Sequence, residues 1–145
     1  PIMAEENPIS HRVQWLLEER VIYIKSQGNM SEEELITIDN QVVAMLDTSQ
    51  AEQVHVVVNV TELEDAPSLP ALVRQKFLQH PRFGWYITVG ANALLRFLGA
   101  TTGRLTNINF QFARSLGEAK SHLQRIDETL PDLTSAFNAL KDDSA

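Results

Sequence analysis

The sequence has no cysteine. That excludes disulfides, zinc centres built on thiolates, and thiol nucleophiles, and it is compatible with a reducing, cytoplasmic setting. No apolar run approaches the roughly 18 residues of a membrane span, so no spanning helix is expected. The opening PIMAEENPIS carries two Glu and no basic stretch, unlike a signal peptide, and its initial Pro suggests a removed initiator Met. Basic residues are scarce early. Residues 1–65 hold 3 Lys/Arg against 13 Asp/Glu, a net −10, while residues 66–145 hold 9 against 6, a net +3. The later cations are spread out, without the basic cluster interleaved with aromatics that nucleic-acid binding calls for.

Catalytic signatures are missing too. There is no G-x-S-x-G and no G-x-G-x-x-G. The stretch from Gly99 to Arg104 is one residue short of a phosphate loop and lacks its Lys-Ser/Thr pair. His11, His55, His80 and His122 show no ligand spacing, so no metal and no cofactor is expected. His55 reads as a satisfied core or rim histidine. The carboxylates Glu62, Glu64 and Asp65 stand at the carboxyl end of a strand, where open α/β sheets bind ligands. With no nucleophile or electrophile nearby they read as a solvated acidic turn, and the chain is not expected to be an enzyme.

What is present is a clear alternation of elements in a chain of 145 residues, the length of one domain. Its densest β-branched run, Val54 to Val60, reads as a strand covered on both faces and hence interior to a sheet. Before it, residues 12–26 read as two strands joined by a hairpin turn at Glu18-Glu19-Arg20. Ser31 and Glu34 form a capping box that opens a helix with Leu35, Ile38, Val42, Met45 and Leu46 on its buried stripe. After it, TELEDAPS reads as an acidic turn, and a helix restarts at Leu69 with Leu69, Leu72, Val73 and Phe77 inward. Residues 85–89 form a strand, and Ala93, Leu94, Phe97 and Leu98 a short helix. Residues 108–113 alternate like a strand near the sheet's edge, and Ser115 caps a helix carrying Leu116, Ala119, Leu123 and Ile126. Leu133, Phe137 and Leu140 recur at helical spacing in the tail, residues 131–145, as a docked extra helix, a dimer contact or a partly disordered end. Residues 1–11 read as a disordered arm. The order β-β-α-β-α-β-α-β-α specifies an α/β fold: a mixed, mostly parallel five-stranded sheet with four helices, plus a short C-terminal helix.

Over residues 12–130 this order resembles the STAS domain of bacterial anti-sigma-factor antagonists and sulfate-transporter tails. VHVVVNVTELEDAPSL is similar to that family's strand and switch loop, ALLRFLGATTGRL to its third helix, and INFQFARSLGEAKSHL to its last strand and capped helix. The chain also resembles divergent STAS-like proteins grouped with CRAL-TRIO-type lipid-exchange domains. The resemblance implies a regulatory domain that offers a switch loop, here Thr61, Glu62, Glu64, Asp65 and Ser68, to a protein partner or to a second copy of itself. In the antagonists the Ser after the loop Asp is phosphorylated; here that position is Ala66, without a hydroxyl, and Ser68 two residues later reads as a helix cap. The alternative implied is a small-molecule or lipid-binding module with a pocket near Phe77, Trp85 and Phe97.

Overall fold

The computed structural model describes residues 11–65, 68–90 and 107–140. Five strands run in chain order across one sheet: β1 (His11–Leu17), β2 (Val21–Asn29), β3 (Val54–Asp65), β4 (Phe83–Val89) and β5 (Asn109–Ala113). β1 is antiparallel to β2, and the remaining neighbours are parallel. Helices α1 (Glu32–Thr48), α2 (Leu69–Val73), α3 (Leu116–Ile126) and α4 (Thr134–Asn138) complete the architecture, with a 3-10 turn at Lys76–Gln79. The valine-rich strand is central, as expected, and β5 lies at an edge. The helix expected at Ala93–Leu98 lies outside the described residues.

A strand shows alternate side chains to opposite faces, and β3 divides its residues accordingly. Val54, Val56 and Val58 pack with Ile22 and Ile24 beneath Ile38, Val42 and Leu46 of α1, and Phe77 joins them from the 3-10 turn. Val57 faces the other way, with Val21, Tyr23, Ile87 and Val89, beneath Ala119 and Leu123 of α3. Leu133, Phe137 and Leu140 belong to that second cluster, so the tail through α4 is docked on the domain. Burying both faces explains why β3 has valine on each of them.

α1 starts as its sequence dictates. The Ser31 hydroxyl accepts the Glu34 amide at 3.0 Å, and the Glu34 carboxylate accepts the Ser31 amide at 2.9 Å. That bond from the Ser31 backbone holds the Glu34 carboxyl below its ordinary range. The helix expected to run from Leu69 to Phe77 does not do so. α2 ends at Val73, and the chain re-forms as a separate 3-10 turn. The reason is Asp39. Buried within the stripe of α1, its carboxylate accepts the amides of Lys76 at 2.8 Å and Phe77 at 3.0 Å, fixing a fresh helical start there. Phe77 is thereby turned into the core, edge-on to Phe83 at 5.3 Å and stacked on Tyr86 at 5.9 Å.

Removing the Asp39 carboxylate strands two backbone donors. Asp39→Ala is expected to lower stability by about 3 kcal/mol in urea unfolding, and Asp39→Asn, which keeps one acceptor, by roughly half as much. A loss in Asp39→Ala no larger than that of an exposed alanine substitution would refute this role.

Candidate functional site

The acidic stretch expected as a turn is largely strand. β3 continues to Asp65, and its far half pairs with the end of β2: Gln27 with Glu62, Gly28 with Leu63, Asn29 with Asp65. Glu and Asp are poor strand formers, but pairing to a neighbour overrides that preference. The pairing is irregular. Between Lys25 and Gln27 β2 advances by two residues while β3 advances by three, from Asn59 to Glu62, and β3 gains another residue between Leu63 and Asp65. These are β-bulges, which bend a strand and re-aim its side chains. The first explains why Val58, Val60 and then Leu63 all pack toward α1. It also leaves Thr61, Glu62, Glu64 and Asp65 exposed.

Asn59 holds this bend from below. Fully buried, its side-chain carbonyl accepts the Thr61 amide at 3.0 Å and the Thr61 hydroxyl at 2.6 Å, and its amide donates to the Tyr23 hydroxyl at 3.0 Å. Gly90 ends β4 against the same point with a φ of +79°, and a methyl group there would overlap the Thr61 hydroxyl. The buried Lys25 places its amine 3.8 Å from the Glu62 carboxylate. The Asp65 carbonyl accepts the Met30 amide at 3.3 Å, tying the strand tip to the start of α1. Ser68, exposed, accepts the Ala71 amide at 3.4 Å as the cap of α2 and lies 3.4 Å from the Glu32 carboxylate. Thr61, Glu62, Glu64, Asp65 and Ser68 therefore gather at the carboxyl end of the central strand, around the first turn of α1.

Of the residues expected to line a pocket, Phe77 and Trp85 are among the described residues. Phe77 is 1% exposed within the α1-side cluster, its ring in contact with Phe83 and Tyr86. Trp85 is half-buried on β4, and Phe97 lies outside the described residues.

A second polar constellation sits at the opposite end of β3. His55 is fully buried; its Nδ1 accepts the Trp85 amide at 3.0 Å, and its Nε2 lies 2.9 Å from the Asp127 carboxylate. An acceptor Nδ1 puts the proton on Nε2, donated to Asp127. Arg20 adds an ion pair to Asp127 at 3.3 Å. Here too there is a bulge: β4 advances from Phe83 to Tyr86 while β3 advances from Val54 to Val56. Gly84 lies against the imidazole, and a side chain there would overlap it. Burial pushes His55 below the usual histidine range against the pull of Asp127. Asp127 is held down at about 2: burial opposes its ionisation, but the Thr129 hydroxyl, the His55 ring and the Thr129 amide outweigh it. The neutral histidine reached from both nitrogens has no ring atom left for a substrate. The satisfied-histidine reading of His55 holds.

Asn59, Asp39 and Asp127 were missed by sequence reasoning. Asn59 and Asp39 each carried a signal: a polar residue inside a strand covered on both faces, and a carboxylate inside an amphipathic stripe. Asp127 carried none, since it meets His55 only through the tertiary fold. Among the described residues no cluster of His, Asp or Glu is arranged to hold a metal ion, and no helix is long and apolar enough to cross a membrane.

No known family matches the chain, and no curated protein matches its sequence. Among solved structures, the chain is similar to an uncharacterised DUF3478-family protein with a SpoIIAA-like fold from Shewanella loihica PV-4. The identity is 12%, the TM-score 0.52, and the match covers 70% of this chain and 82% of that one. The chain has this SpoIIAA-like, STAS-like fold.

Two outcomes test the strand's polar anchors. Asn59→Ala is expected to cost about 3 kcal/mol and to speed amide exchange at Thr61–Asp65 more than at Val54–Val58; uniform acceleration along β3 would contradict its role at the bulge. For His55 and Asp127 both folded-state pKa values are depressed, so the unfolded chain binds protons first on acidification. Their contribution to stability is expected to be complete above pH 6.5, to fall as pH drops below it, and to fall further below 3.8 as Asp127 approaches protonation. Thermal midpoints measured against pH check this; His55→Gln is expected to flatten the decline that sets in below pH 6.5.

Proposed function

We propose that the chain is a non-catalytic, cytoplasmic regulatory domain that docks a protein partner through Thr61–Leu69. One observation carries the reading: the bulged tip of the central strand turns Glu62, Glu64 and Asp65 outward while Asn59 fixes the backbone at Thr61, where the tip begins. A rigid tip with charged side chains suits docking, because little conformational entropy is lost on binding. The tip lies at the carboxyl end of the parallel strands and beside the start of α2, where the STAS resemblance places the switch loop.

Docking here is not gated in the manner of the antagonists. Ala66 has no hydroxyl to phosphorylate, and Ser68 uses its own as the cap of α2. The lipid or small-molecule alternative would draw on Phe77, a side chain already engaged with Phe83 and Tyr86.

The reversal Glu64→Lys with Asp65→Lys, both exposed, is expected to abolish specific capture of a partner from native extract without moving the thermal midpoint by more than a few degrees. Capture undiminished by that pair would overturn the reading, as would a lipid found bound in native mass spectrometry of the purified chain. Ser68→Ala is expected to cost about 1 kcal/mol as a lost cap and to leave capture intact.

A further inference from the structure

The groove between α1 and α2 bears on what kind of partner docks. It is lined by the buried Leu35, Asp39, Ala71 and Gln75 and by the exposed Glu32, Ile36 and Arg74, and its volume is about 70 Å³. Ile36, at 59% exposure, is the one large apolar side chain left exposed among the described residues. A single exposed isoleucine is unremarkable alone. This one borders a concavity that its own helix helps to build: Leu35 and Ile36 are consecutive, Leu35 is buried at the base beside Ala71, and the buried Asp39 carboxylate next to them is already taken up by the Lys76 and Phe77 amides.

The charge around the groove is uneven. At one end stand Glu32 and Glu33, in the first turn of α1, and the exposed Glu64 and Asp65, which the Met30–Asp65 backbone bond brings to that turn. At the other wall stands a cation, Arg74. An occupant with positive charge is attracted at the first end and repelled at the second, so the field sets direction as well as sign.

We propose that this groove docks a protein segment that places one apolar side chain against Ile36, Leu35 and Ala71, with basic residues on the side nearer Glu32 and Asp65. The inference rests on the docking function proposed above and names the chemistry of its partner. The apolar anchor supplies affinity by leaving water, and the basic flank supplies orientation and rate.

The test uses the full chain and a peptide of three lysines, an alanine and a leucine, followed by amide proton–nitrogen correlation spectra. Saturable shifts are expected at Leu35, Ile36, Ala71 and Gln75. Binding is expected to weaken about tenfold when the peptide's leucine is replaced by serine, about tenfold in Ile36→Ser, and several-fold when salt rises from about 50 to about 500 mM. Ile36 is exposed, so Ile36→Ser leaves the fold intact, which an unchanged thermal midpoint verifies. Equal binding of the leucine and serine peptides would reduce the effect to unspecific charge attraction and overturn the proposal. Concentration-dependent dimerisation abolished by Ile36→Ser would overturn it by making a second copy the occupant. Shifts confined to Glu62–Asp65 would overturn the groove while leaving the strand tip as a docking surface.

Discussion

A buried backbone amide needs a partner, and a β-bulge takes one away from the sheet ladder. Two bulges flank the central part of β3, and each is answered by a polar side chain of β3 itself. At the start, His55 accepts the Trp85 amide that the bulge in β4 releases; at the end, Asn59 accepts the Thr61 amide released by the bulge in β3. Both side chains are fully buried, where an unpaired donor costs about 1–3 kcal/mol. The strand's irregularities and its polar interruptions are thus one feature seen twice.

The two anchors differ in what lies beyond them. His55 passes its second hydrogen bond to Asp127 at the end of α3, and Arg20 closes the group from the hairpin, so this end is joined to the structure on every side. Asn59 passes its own to Tyr23 beneath the sheet, and above it the strand runs outward into exposed carboxylates. One end consolidates the domain and the other offers a surface. The titratable ring at one end is engaged at both nitrogens, and the carboxylates at the other face solvent.

Periodicity made most of the architecture legible. The run Val54–Val60 announced a strand covered on both faces, and the Ser31–Glu34 pair announced a helix start that forms as written. The boundaries that failed did so for a shared reason. Thr61–Asp65 looked like a turn because Glu and Asp are poor strand formers, yet β2 runs on to Asn29 and pairs with them. Leu69–Phe77 looked like one helix, yet Asp39, 37 residues before Lys76, supplies the cap that restarts the chain there. In both places a partner distant in sequence overruled local preference. The exposure of Thr61, Glu62, Glu64, Asp65 and Ser68 was legible in their polar character. The inward place of Phe77 was legible in its spacing, and the rings of Phe83 and Tyr86 that it packs against were not.

By itself the sequence determined the order of elements, the central place of the valine strand and the acidic character of its end, because these rest on side-chain type and spacing along one chain. The tertiary structure alone decided that the acidic end is a bulged strand, that Asn59, His55 and Asp39 hold backbone amides, and that Ile36 borders a groove. Each of these depends on which segments meet across the sheet or between helices, and unmet hydrogen bonds and contacts of that kind exist only once the chain has closed on itself.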